Sequence, residues 1–197
     1  GDTDQTMRGA KRHRGLGIPL TDTANVAGRG AAVTVLGEAL AEVDRSSYVL
    51  ATKLYFPMGA ADQGLSRAQI MKQLDASLSR LRTDYVDVLL LHRPDALVEP
   101  EEVAEAFTIL QNNGKVKNFG VSNQNPMQIE LLSKFIKQKI VFNQLQCSIT
   151  NTGMVNAGIH VNMETDSSIN RDGSILDYCR LKEITIQPWS PFQYGFF

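Results

Sequence analysis

Short apolar runs alternate along the chain with longer segments whose apolar residues recur at helical spacing. That rhythm is the mark of βα units feeding a parallel sheet. Six runs read as strands: residues 19–23, 48–52, 86–91, 118–121, 140–145 and 184–189. The stretch Val88-Leu89-Leu90-Leu91 is apolar throughout, as expected of a parallel strand covered on both faces. Helices are predicted between them. One covers 31–42. A second opens at Ser66, a candidate N-cap, with Ile70, Leu74, Leu78 and Leu81 on one face. A third covers 101–112, with acidic residues in its first turn and Gly114 just past its end. Asn125-Pro126 opens a fourth, with proline at a favourable first position, and 175–181 is the fifth. The first sixteen residues, through Lys11-Arg12-His13-Arg14, read as a loop leading into a short or frayed helix. Residues 151–172 read as an elaborated polar loop between a strand and its helix, the kind of loop that builds a site on a barrel.

No change of composition, linker or low-complexity segment divides residues 1–197, so one domain is expected. A doubly wound sheet is the rival architecture. It would be favoured by a GxGxxG after the first strand, and Gly28-Arg29-Gly30 followed by Ala31, Ala32 and Val33 does not complete one. Lys and Arg number 20 against 21 Asp and Glu, which argues against a nucleic-acid groove or a polybasic membrane patch. No apolar run has the length of a membrane span and no signal-peptide core opens the chain. Cys147 and Cys179 stand singly, outside any CxxC, and read as buried free thiols in a reducing, cytoplasmic setting, with no metal site.

Each predicted strand ends in polar or ionisable groups: Asp22, Lys53, His92, Ser122-Asn123, Gln144 and Trp189-Ser190. In a parallel barrel these ends meet at one face, where active sites are built. Taken singly, Asp22 reads as a turn residue, Lys53 as a solvated charge, and His92 and Trp189 as core. Ser122-Asn123 reads as a cap for the helix near Pro126, while a buried Gln144 needs partners that a carboxamide ligand would supply. Their succession at equivalent positions favours a site. His13 and His160 lie in polar surroundings and read as solvated.

The segments Asp22-Thr23-Ala24, Ala51-Thr52-Lys53, Leu91-His92-Arg93-Pro94-Asp95, Gly114-Lys115-Val116, Gly120-Val121-Ser122-Asn123, Asn143-Gln144 and Trp189-Ser190-Pro191 resemble the motifs of aldo-keto reductases, in that family's order. The resemblance covers nearly all of the chain from Gly15 to Phe197, with 81–123 its most specific part. It implies a TIM (β/α)8 barrel that reduces aldehydes or ketones with NADPH, and a catalytic Asp, Tyr, Lys and His. Asp22, Lys53 and His92 match three of these. The resemblance also implies that Asp22, Ser122, Asn123 and Gln144 contact the nicotinamide end of NADPH/NADP+. Trp189 would stack on the ring, and Ser190 and Phe192 would lie under the diphosphate.

Two departures stand out. The family's tyrosine follows Asp-Thr-Ala and two variable residues, and here that position is Ala27; a few residues on, Val33 stands where glutamate is usual. Tyr55, near Lys53, is a conceivable replacement. The barrel is also incomplete, with about six of the eight βα units visible. The family's opening strand and its last strand and helix, which carries the 2′-phosphate site, are missing. Residues 21–82 resemble potassium-channel β-subunit-like reductases, whereas 97–197 resemble a bacterial oxidoreductase branch. A chimeric, engineered or truncated chain is one reading of that mosaic. The alternatives to a reductase are a non-catalytic NADP(H)-binding barrel and an engineered partial-barrel scaffold.

Overall fold

The computed structural model describes residues 17–60 and 62–195, together with Asp4, Arg8, Gly9 and Arg12. Apart from those four, the first sixteen residues, His13 included, lie outside the described residues. Six parallel strands form one sheet: β1 (Leu20–Asp22), β2 (Val49–Leu54), β3 (Val86–Leu91), β4 (Val116–Ser122), β5 (Ile140–Gln146) and β6 (Thr185–Trp189). Their order in space is their order in the chain. A doubly wound sheet reverses direction partway, so that architecture is excluded. Helices α1 (Ala31–Leu40), α2 (Arg67–Leu81), α3 (Pro100–Asn112), α4 (Pro126–Phe135), α5 (Gly153–Ile159) and α6 (Ile175–Leu181) fill the connections. No described helix is long and apolar enough to cross a membrane.

The sheet is curled. In a flat sheet β1 and β5, four strands apart, would be separated by roughly 19 Å at ~4.8 Å per step. Yet Gln144 Nε2 of β5 lies 3.2 Å from Asp22 Oδ2 of β1. Only a sheet rolled toward a barrel brings those strand ends together, and six strands make most of an eight-stranded one.

Strand alternation sorts the core into two layers. Leu50, Leu54, Leu89, Leu91, Phe119 and Val121 pack outward against the helices, where the predicted Ile70, Leu74, Leu78 and Leu81 face of α2 meets them. Phe107 of α3 stacks on Phe119 with ring centroids 4.0 Å apart. The inner layer is small, formed by Ala51, Val88 and Leu90 with Phe142 against them. Gly37 lets α1 press directly on α2: a Cβ there would stand 2.1 Å from the carbonyl oxygen of Arg80.

The helix signals act locally as predicted. The Ser66 side chain accepts from Gln69 N at the start of α2, and Asn125 and Gln128 form a reciprocal capping box ahead of α4. The boundaries differ in instructive places. β2 runs two residues past its predicted end, because Lys53 and Leu54 pair in register with Leu90 and Leu91. Lys53 therefore lies within the strand, two residues after Ala51 and on its inward face. The 151–172 loop contains the short helix α5, which has no buried face to write a periodicity into the sequence. Cys179 is buried as expected, while Cys147 is only partly so.

Candidate active site

β1 delivers Asp22 and β2 delivers Lys53 to the same end of the sheet, where Lys53 Nζ donates to Asp22 Oδ2 at 2.5 Å. The lysine side chain is 10% exposed and the Asp22 side chain 36%, so the pair is sheltered on the lysine side and open to solvent on the carboxylate side. Gln144, at the equivalent point of β5, donates through Nε2 to the same carboxylate oxygen. Its Nε2 also donates to Gln187 Oε1 of β6 at 3.0 Å. Lysine, carboxylate and two amides thus form one chain across the barrel mouth.

A second chain joins it. The Ser122 hydroxyl donates to the Gln144 backbone oxygen at 3.2 Å. Asn123, held at a left-handed φ of 58°, donates through Nδ2 to Ser122 Oγ at 2.8 Å and to the His92 backbone oxygen at 3.4 Å. Asn123 Oδ1 accepts from Trp189 Nε1 at 2.9 Å. His92, just past β3, has its Nδ1 buried without a hydrogen-bond partner and meets the Phe56 ring edge-on, centroids 4.9 Å apart. Arg93 lies with its guanidinium 5.9 Å from the Trp189 ring.

Burial, then the charges of Lys53 and Arg93, lowers the His92 pKa from 6.5 to about 4. At neutral pH the imidazole is uncharged, with one N–H to donate and one nitrogen to accept. The folded chain refuses a proton that the unfolded chain takes below pH 6.5. This histidine therefore leaves stability intact above pH 6.5 and removes it progressively as pH falls toward 4. An NMR titration following its ring carbons should find a midpoint near pH 4; a midpoint above 6 contradicts the buried, cation-flanked environment.

The structure thus brings Asp22, Lys53, Ser122, Asn123, Gln144 and Trp189 into one connected cluster, which His92 joins through its backbone carbonyl. Ser190 and Phe192 lie outside it. The Ser190 carbonyl accepts from Gln193 N and Nε2, and Phe192 is 70% exposed. Ala27 begins a tight turn, Ala27–Gly30, in which Gly28, Arg29 and Gly30 are all left-handed, and its methyl packs against the outer core. The Tyr55 hydroxyl accepts from Gln63 Nε2 at 3.3 Å, and its ring packs against the same outer core. Buried Gln73 ties the two mouth loops together, its Oε1 accepting from Asn25 Nδ2 and Tyr55 N while its Nε2 donates to Asp62 O.

Sequence reading passed over Gln187, Phe56 and Arg93. Gln187 could have been found by alternation, since it stands two residues before Trp189 on the same face of β6. Nothing local marks Phe56, which reaches His92 only through the curl of the sheet.

Comparison with known proteins adds four observations. A putative voltage-gated potassium channel subunit beta of Schizosaccharomyces pombe is 42% identical over 134 residues, 66% of this chain and 39% of that protein. The uncharacterized oxidoreductase YcsN of Bacillus subtilis is 34% identical over 189 residues, 91% of this chain and 58% of that one. An aldo/keto reductase from Klebsiella pneumoniae, solved in complex with NADP and acetate, superposes with a TM-score of 0.78 at 24% identity, covering 98% of this chain and 60% of that one. The chain therefore spans 39% and 58% of the lengths of these two relatives. The sequence model of the aldo/keto reductase family matches residues 4–197, and the chain belongs to that family.

Proposed function

We propose that the mouth of this barrel binds NADP(H) and presents it to the carbonyl group of a small aldehyde or ketone. The observation that carries this reading is the connected cluster at the strand ends, where an ion pair, a neutral imidazole, two amides, a hydroxyl and an indole converge from different strands. Family membership supports it, as does the solved neighbour that holds NADP. The donor set suits a nicotinamide: Ser122, Asn123 and Gln144 offer an amide complement to its carboxamide, and Trp189 offers a stacking face. Ser190 and Phe192 are assigned to the diphosphate.

The bound cofactor supplies the hydride. Trp189, Ser122, Asn123 and Gln144 fix its face and distance, which is the protein's main contribution to such a reaction. His92, neutral, donates its N–H to the substrate oxygen and polarises the carbonyl, with Phe56 packed edge-on beside it. The Lys53 ammonium, held by Asp22, places positive charge beside the developing alkoxide. Ala27 has no proton to give, so the alkoxide takes its proton from water. The unpaired thiols of Cys147 and Cys179 suit a reducing, cytoplasmic setting.

Ala27 favours a second reading, a barrel that binds the cofactor with little turnover. Both readings require binding. Trp189 is the chain's single tryptophan, so its fluorescence should be quenched saturably by NADPH. An unchanged emission spectrum at millimolar NADPH removes both.

A further inference from the structure

We infer that Gln73 is a positioning residue: from α2, behind the mouth, it clamps the loops that follow β1 and β2 and thereby holds Phe56 against His92. The clamp is geometry alone; its bearing on carbonyl reduction rests on the NADP(H) reading above. Gln73 is 4% exposed, and its backbone partners are fixed in kind. The Tyr55 N–H only donates and the Asp62 carbonyl only accepts, so Oε1 faces Tyr55 at 3.0 Å and Nε2 faces Asp62 at 2.6 Å. An amide turned end for end would lose both bonds. With Oε1 assigned in this way, the Asn25 group 2.9 Å from it is the donor Nδ2.

Tyr55 opens the 55–64 loop and Asp62 lies near its end. Phe56 follows Tyr55 directly, and its ring meets His92 edge-on, centroids 4.9 Å apart. Asn25 stands between Asp22 and Ala27, and its backbone N–H donates to the Lys53 carbonyl at 3.0 Å. One buried side chain therefore joins the segment that carries Asp22 to the segment that carries Phe56. The other ties do less. The bonds from Gly64 N to Tyr55 O and from Gln63 Nε2 to the Tyr55 hydroxyl join the loop to itself. Leu65 N binds Asp95 Oδ2 at 3.3 Å only beyond the far end of the loop. Lys72 reaches Asp62 Oδ1 from a side chain 64% exposed, the kind of ion pair that contributes least. Without Gln73 the Tyr55 N–H and the Asn25 amide lose their partner, and the loop is released to carry Phe56 away from the imidazole. Water then reaches His92. Burial is the first cause of its low pKa, and the charges of Lys53 and Arg93, which also bear on it, stay in place. Hydration favours the charged imidazole, so its midpoint moves up toward 6.5.

The test is made on the full chain by NMR, following the His92 ring carbons through pH and, at pH 7, the nuclear Overhauser contact between the His92 and Phe56 rings. Gln73→Met keeps the length of the side chain without its hydrogen bonds. In that variant the midpoint should rise by about one pH unit or more, and the ring contact should fade. Gln73→Asn is a milder change that keeps a polar group one methylene too short to reach both loops; it should shift both readouts in the same direction and serves if the methionine variant does not fold. Lys72→Met, which cuts the exposed tie of the same loop, should leave both at their native values. Arg45→Met, destabilised at the opposite end of the sheet, should do the same, which separates positioning from lost stability. Native values in the folded Gln73 variants, or an equal shift in Lys72→Met or Arg45→Met, overturn the inference and leave the cofactor reading standing. Quenching of Trp189 by NADPH is scored separately: its absence removes the cofactor reading, while the clamp is decided by His92 and Phe56 alone.

Discussion

Ala27→Tyr should raise kcat/KM for reduction of a small aldehyde with NADPH by roughly a hundred- to ten-thousand-fold, the usual contribution of a positioned general acid. On the function proposed above, the partners that such a phenol would use are present at the strand ends. The Lys53–Asp22 pair is intact at 2.5 Å, and an ammonium next to a phenol lowers its pKa toward the working range. His92 is neutral and sheltered, so it can orient the carbonyl without competing as the acid. The turn at 27–30 keeps the left-handed residues Gly28 and Gly30 that let the chain bend sharply after β1. The control is Ala27→Phe, which supplies the ring without the proton and should stay at the level of the parent. If Ala27→Tyr does no better than Ala27→Phe, either position 27 does not face Lys53 or proton supply is not the missing element. A steady-state assay with both variants at saturating NADPH decides between the outcomes.

What the sequence reveals and what it hides follow the same physical divide. Local chemistry is legible. Ser66 and Asn125-Pro126 mark helix starts because a side-chain cap or a preset φ acts within one turn of chain. The mouth of the sheet is legible because polar groups follow apolar strand bodies there, and Asp22, Lys53, His92, Ser122 and Gln144 gather at one end, with Lys53, Ser122 and Gln144 buried. Curl is not legible. No local rule states that β1 and β5 come within hydrogen-bond reach, so the bond from Gln144 to Asp22 appears only once the sheet is rolled. Gln187 and Phe56 escape for that reason: their roles exist only across the mouth. A charged residue reads as the end of a strand at Lys53, yet pairing with Leu90 carries β2 on through it. Helix α5 stayed hidden because it buries none of its residues, leaving Val155 and Ile159 exposed where a packed helix would show an apolar stripe.

Arg45→Met should destabilise the fold by roughly 2–4 kcal/mol without altering the site, because Arg45 works at the opposite end of the sheet. Arg45 precedes β2, and its guanidinium donates to the Tyr48 and Tyr85 carbonyls, to Thr83 Oγ1 and, at 2.7 Å, to Asp87 Oδ2. It also lies 3.9 Å from the Tyr85 ring centroid. Asp87, near the start of β3, accepts from Leu50 N as well, and from Lys117 at 3.0 Å. Burial alone would push the Asp87 carboxyl up, but the bonds from Leu50, Arg45 and Lys117 prevail and hold it below its ordinary value. The stability this group confers is therefore complete above the unfolded carboxyl pKa and is lost as pH falls through the lower folded value. Methionine preserves the length of the arginine stem while leaving Asp87, whose side chain is 13% exposed, with the single charged partner Lys117. Urea unfolding at pH 7 should register most of the loss. At acid pH, where Asp87 is protonated in both proteins, the gap between them should narrow. Pairing the change with Asp87→Leu removes the stranded charge and should recover part of the stability, since the cost of breaking such a pair lies largely in the partner left behind. A loss under about 1 kcal/mol at pH 7, or a double variant no more stable than Arg45→Met, would place the stability of this end of the sheet in apolar packing instead of the ion pair.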